Sequence, residues 1–184
     1  MDIGYILTKL LAFATLSGNL AVVGLVIFFI VRRSLFDGMV AWLGARALWI
    51  GLIISAGSTF GSLIYSEVVG YPACILCWIQ RLFMYPQFFL FGLALWRKER
   101  LIIPYMLMLS LIGAAVALYQ WIKDMLLLYS HTSIPCPAVS GLPSCDKIYV
   151  LEMGYITIPM IALNAFVLLA IVMWAGVRHE KTLS

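Results

Sequence analysis

The chain has 184 residues, of which 64% are hydrophobic and 11% charged, with a mean hydropathy of +1.05. Soluble proteins average about 45–50% apolar and about 25% charged residues, so a water-soluble domain of this composition is excluded and lipid must solvate much of the chain. The net charge of +4 comes without any basic run. That excludes a nucleic-acid surface, and in such a chain positive charge reports loop orientation.

Five stretches have the length of about 20 apolar residues that a spanning helix needs. Leu10 to Val31 is uncharged between Lys9 and Arg32. Its positive charges follow the apolar run and no small-residue cleavage site comes after it, which argues for an uncleaved anchor and against a signal peptide. Ala47 to Ser66 is uncharged between Arg46 and Glu67. Ile75 to Trp96 is apolar except for Arg81, and Leu101 to Ile122 and Gly154 to Val177 are clean. Trp49, Trp78, Trp96, Trp121 and Trp174 fall near span ends, as interfacial aromatics do. Between the fourth and fifth spans lies a long segment, Lys123 to Met153, holding Pro135, Pro137, Gly141 and Pro143. Loops of that length are functional or disordered. Its apolar stretch from Met125 to Tyr129 is expected to lie along the membrane surface. No internal repeat or Gly/Ser linker divides the chain.

If five helices alternate, Arg32, Arg33, Arg46, Arg97, Lys98, Arg100, Arg178 and Lys181 fall on one side. Lys9, Lys123 and Lys147 fall on the other, with Arg81 just inside its span. The positive-inside rule then puts the N-terminus outside and the C-terminus in the cytoplasm.

On this topology all four cysteines lie outside, where disulfides form and persist. Cys74 and Cys77 form a C-x-x-C at the start of the third helix, and Cys136 and Cys145 sit in the long loop. A helix start and a nearby cation both lower a thiol pKa, and the thiolate is the reactive species. Arg81 is four residues after Cys77, on the same helical face, so its guanidinium is expected near the Cys77 sulfur. There it favours a thiolate and can hold an electron-rich ligand.

Plainer readings compete. An interfacial arginine often just snorkels to headgroups. The pairs also read as structural disulfides, although a C-x-x-C ring is too small to stabilise much through loop closure. Four thiolates suit tetrahedral zinc, but the spacing of Cys136 and Cys145 is wider than zinc sites use, and no metal site is assigned. Trp78 stands where a C-x-x-C-H haem motif needs histidine. His131 is read as an ordinary loop residue.

The run from Cys74 to Pro86, C-I-L-C-W-I-Q-R-L-F-M-Y-P, resembles the C-x-x-C-W-x-Q-R-x-x-M-Y-P signature of the DsbB/BdbC disulfide-formation proteins, nearest the BdbC-like branch. Ser62 to Glu67, Val139 to Pro143 and Gly154 to Pro159 are similar to the family too. The resemblance covers about residues 47–177, in the family's order. It implies an all-α integral membrane fold, a four-helix transmembrane bundle, to which this chain adds one N-terminal transmembrane helix. Residues 1–46 are then the extra helix and a cytoplasmic connector, 47–177 the bundle with two outer redox loops, and 178–184 a cytoplasmic tail. The vitamin K epoxide reductase group shares the bundle, but there the loop pair precedes the C-x-x-C.

The resemblance implies a quinone-dependent, disulfide-generating oxidoreductase of the bacterial inner membrane. Its partner is an extracytoplasmic thioredoxin-fold (DsbA-like) thiol oxidase, and its cofactor is ubiquinone or menaquinone. Carried onto this chain, the partner thiolate attacks Cys136, Cys145 leaves and attacks Cys74, and Cys77 passes the electron pair to a quinone that Arg81 places. Two features depart from the pattern: the extra helix and the spacing of Cys136 and Cys145. Two alternatives stand beside this reading: a non-enzymatic membrane scaffold with structural disulfides, and the same relay run in the reductive direction.

Overall fold

A computed structural model of the chain describes residues 3–31, 33–132, 136, 141 and 143–183. Arg32 and the loop residues Pro135, Pro137, Val139, Ser140 and Leu142 lie outside the described residues, so only part of the Val139 to Pro143 run is seen. The chain is all-α: α1 Ile3–Val31, α2 Arg33–Ala45, α3 Ala47–Leu63 continued by a π-helical turn Ile64–Val68, α4 Ile75–Arg97, α5 Ile103–Ser130 and α6 Ile158–Leu183. Among the described residues there is no strand, and one isolated bridge joins Glu152 to Ile156.

Among the described residues, four helices are long and apolar enough to cross a membrane: Gly4–Gly24 of α1, Ala47–Val68, Ile103–Ser130 and Ile158–Thr182. α4 has 23 residues, enough to cross at ~1.5 Å per residue, but Gln80, Arg81 and Gln87 dilute its hydropathy. Large apolar side chains such as Leu10, Phe13, Leu82, Phe89 and Met108 point away from the protein, where only lipid makes that favourable.

α6 is the hub, packing on α1, α2, α3 and α5. Its Phe166, Leu169 and Met173 are fully buried with Phe91 of α4 and Ile103 and Ala117 of α5. Close approach needs small residues: a Cβ on Gly113 of α5 would collide with the Phe166 ring. Backbone conformation sets the helix ends. Lys98 is left-handed (φ 57) and closes α4 with Glu99 N–H donating to Ala94 O at 3.0 Å; Pro104 opens α5; His131 (φ 50) closes it.

Three expected boundaries move. Met125 to Tyr129 are the last turns of α5 rather than a separate surface segment. The connector before Ala47 is helical, with Val40, Gly44 and Ala47 buried one turn apart against the bundle. The tail continues α6 to Leu183.

The two ends of the bundle differ. At one, Lys9 of α1 pairs with Glu152 at 2.7 Å. At the other, Arg100 donates to the carbonyls of Gly44 and Ala45 and pairs with Glu180 at 3.2 Å.

Candidate active site

Cys74 caps α4. Its extended backbone (φ −74, ψ 172) turns the chain into the helix, and Trp78 N–H donates to Cys74 O at 3.0 Å to close the first turn. The Cys74 and Cys77 sulfurs are 3.2 Å apart, hydrogen-bonded and not joined. The Cys77 thiol, with the backbone N–H groups of Leu76 and Cys77 at the helix start, draws Cys74 from 9.0 down to about 6 despite its burial.

Residues far away in sequence complete the grip. Gln120 of α5 donates from Nε2 to both sulfurs at 3.5 Å, and Gln80 Nε2 donates to Gln120 Oε1 at 2.8 Å, fixing which way that amide faces. Both glutamines are buried.

Cys136 and Cys145 are joined as a disulfide. Lys123 of α5, with no exposed side-chain surface, donates to Cys145 O at 2.8 Å and pairs with Asp146 at 2.7 Å. That pairing holds the Asp146 carboxyl below its ordinary value, with help from Ser144. Further along, Trp121 and Tyr129 of α5 donate to the carbonyls of Tyr155 and Gly154, the latter in a left-handed turn (φ 79). An aromatic stack of Tyr65, Tyr71 and Tyr149, with centroids 6.0 and 4.9 Å apart, ties the segment before Cys74 to the one after Cys145.

The result is that the four cysteines meet. Cys74, Leu76 and Cys145 form one buried cluster, with Cys77 and Cys136 packed against it. A cavity of about 330 Å³ opens beside them. Cys74, Cys77 and Cys145 line it, and its wall is mostly apolar with Arg81, Gln120 and Asp124 among the polar exceptions. α1 contributes Leu11, Ala14 and Thr15 to this wall.

Arg81 lines the same cavity as Cys77, but its hydrogen-bond partner is Ser62. Nε donates to Ser62 Oγ at 3.0 Å and a terminal nitrogen donates to Ser62 O at 3.3 Å. The guanidinium also lies 5.1 Å from the Trp78 ring centroid, and Tyr85 donates to the same Ser62 Oγ at 3.3 Å. The sequence expected the Arg81 guanidinium near the Cys77 sulfur; the two share the cavity wall, and the hydrogen bonds described for Arg81 go to Ser62.

Sequence reasoning missed Gln80, Gln120, Asp124 and the tyrosine stack. Gln80 stood inside the signature run, and a Lys-Asp pair at the end of an apolar span was a signal for Asp124.

The comparisons with known proteins agree with this geometry. Residues 44–176 match the family model described as disulfide bond formation protein DsbB. The chain is 32% identical over 123 residues to a probable disulfide formation protein C 1 of Bacillus anthracis, covering 67% of this chain and 86% of the relative. It is 33% identical over 126 residues to disulfide bond formation protein C of Bacillus subtilis (strain 168), covering 68% and 88%. A probable disulfide formation protein of Coxiella burnetii (strain CbuK_Q154) is 32% identical over 122 residues, covering 66% and 79%. No solved structure matches the chain. With its helical membrane bundle and its clustered cysteines, the chain belongs to the DsbB family of disulfide bond formation proteins.

Proposed function

We propose that this membrane protein reoxidises an extracytoplasmic thioredoxin-fold thiol oxidase and passes the electrons to a membrane quinone. The observation that carries the reading is the meeting of both cysteine pairs in one cluster beside a largely apolar cavity. Two isolated structural disulfides would not need to touch. The protein sits in the bacterial cytoplasmic membrane with both pairs outside and the C-terminus inside. Residues 47–177 form the working bundle, and 1–46 and 178–184 are additions at its margins.

Each step is thiol–disulfide exchange through a mixed disulfide. The partner's thiolate attacks Cys136, the less buried sulfur of the loop pair, and Cys145 leaves. With the Cys74–Cys77 pair oxidised to a disulfide, Cys145 then attacks Cys74, which lies in the same buried cluster; the Cys145–Cys74 bond forms, the Cys74–Cys77 bond breaks, and Cys77 leaves as a thiolate on the cavity wall. Gln120 donates to whichever sulfur carries the charge.

The cavity suits a quinone head group. It has the volume and apolar lining of small-ligand sites, with a few polar groups to set orientation. Arg81, held by Ser62 and Trp78, and Tyr85 beside it would hold a ring oxygen. A bound quinone would supply the two-electron acceptor chemistry.

The test has two arms. A Cys145→Ser chain is expected to capture a thioredoxin-fold partner as a stable mixed disulfide through Cys136. A Cys77→Ser chain is expected to keep its fold and lose quinone reduction by reduced partner. Full turnover by Cys77→Ser would sink the mechanism.

A further inference from the structure

Asp124 is a buried carboxyl, 4% exposed, inside a membrane-length helix. Such groups are costly to hold there and mark function. A counter-ion role does not explain it. Lys123, its neighbour, is already paired with Asp146, and among the described residues no salt bridge includes Asp124.

Its position is specific. Asp124 follows Gln120 by one turn, and Gln120 donates to the sulfurs of Cys74 and Cys77. It adjoins Lys123, which holds the backbone of Cys145. One turn of α5 thus reaches both pairs. Asp124 is the one carboxylate among the described residues of the cavity wall, which it shares with Cys74, Cys77 and Cys145. Thr157, fully buried on the same wall, turns its hydroxyl toward the Asp124 carboxyl.

We propose that Asp124 is the general base for the exchange that joins the two pairs, taking the proton of the Cys145 thiol as Cys145 attacks Cys74. The inference rests on the relay proposed above. In the step, the Cys145–Cys74 bond forms and the Cys74–Cys77 bond breaks. Cys77 departs with the electron pair as a thiolate, and the proton of Cys145 rests on Asp124. Nothing outside the chain is consumed. Cys145 leaves Cys136 as a thiolate; once it has taken up a proton it must lose it again to attack Cys74, and at 5% exposed it has little water to remove it. The charged and titratable groups facing Asp124 are Lys123 on its own helix, Asp146 and Cys145 from the loop, and Cys74 and Cys77 from the start of α4. Arg81, Lys147 and the tyrosines at 65, 71, 85 and 149 share the cavity wall.

The experiment needs neither partner nor quinone. A full-length Cys136→Ser chain carrying the Cys74–Cys77 disulfide and a free Cys145 is jumped from acid to final values between about pH 6 and about pH 8, the range in which a positioned base matters. Acid quenching, maleimide labelling and mass spectrometry then follow the release of Cys77. The parent is expected to exchange at a rate nearly flat with pH. Adding Asp124→Asn is expected to slow release on the order of 100-fold near neutrality and to make it climb about tenfold per pH unit. Asp124→Glu is expected to recover most of the rate and the flat profile. An Asn variant with the parent's rate and profile overturns the assignment, as does a Glu variant that restores neither. A parent that never releases Cys77 at any pH overturns the relay itself, and the assignment with it.

Discussion

The two cysteine pairs are built to opposite designs. Cys74 and Cys77 sit on the first turn of a long helix, gripped by the Gln80–Gln120 amide chain and backed by the helix start. Cys136 and Cys145 sit in a loop, and the described anchor, Lys123, holds the backbone at Cys145 and at its neighbour Asp146. One pair is fixed against the cavity. The other is held through the Cys145 backbone, and its Cys136 is the more exposed of the two. In a relay that division is useful: the loop pair must receive a bulky protein partner, whereas the helix pair must hold a sulfur still beside a small acceptor.

The largest effect separates the pairs outright. Replacing Cys77 with alanine is expected to reduce acceptor reduction to background while Cys136 still forms mixed disulfides with a reduced partner. Loss of both together would mean the pairs do not work in series. The next effect acts on the loop pair's anchor. Lys123→Met leaves Cys145 O and Asp146 without their buried donor, and hydrogen bonds to charged groups contribute about 1.5–3 kcal/mol. A fall of that size in chemical or thermal stability of the detergent-solubilised protein is expected. The Cys74 titration should not move, because Lys123 is not among its causes.

A smaller effect concerns the helix pair. In the dithiol form, thiolate absorbance is expected to titrate with a midpoint of about 6 at Cys74, well below the ordinary 9.0. The folded value is depressed, so the stability this thiolate contributes is complete only above the ordinary value. It is lost as pH falls through about 6. Gln120→Leu is expected to raise the midpoint by less than about one pH unit, since Gln120 is the weakest of the groups lowering it. A midpoint still near 9 in the parent would remove the hydrogen-bonded pair from the argument.

How much of this was legible depended on distance along the chain. The spans were readable because hydropathy is local: Ala47 to Ser66 and Ile75 to Trp96 nearly coincide with α3 plus its π turn and with α4. α5 was cut short at Ile122 because Lys123 and Asp124 look like an interface, whereas both are buried within the helix. α2 passed as a connector because the spacing of Val40, Gly44 and Ala47 signals a helix only if α6 is there to cover it. At the site, the C-x-x-C and Arg81 came from one short run. The contact between the two pairs did not, because it rests on Gln120 and Lys123 of another helix. Ser62, which takes the Arg81 guanidinium, lay in a run already noted for its resemblance, but nothing local pairs a serine with an arginine on the next helix.

The smallest expected effect tests whether α1 takes part in anchoring the loop pair. Lys9 pairs with Glu152, near the end of the segment that carries Cys145 and itself one side of the Glu152–Ile156 bridge. The geometry is good, but the side chains are 40% and 22% exposed, and such pairs contribute at most about 1 kcal/mol. α1 also has deeper attachments. Tyr65 donates to Thr8 at 3.1 Å and Asn164 donates to Asn19 at 2.6 Å, so the helix stays docked without Lys9. A double-mutant cycle of Lys9→Ala and Glu152→Ala, read by stability at low and high salt, is expected to give a coupling below about 1 kcal/mol that shrinks as salt rises. A salt-insensitive coupling above about 2 kcal/mol would exceed what an exposed pair can give. It would make α1 a second anchor of the loop, and the contrast between a pair set in a helix and a pair set in a loop would have to be redrawn around that helix.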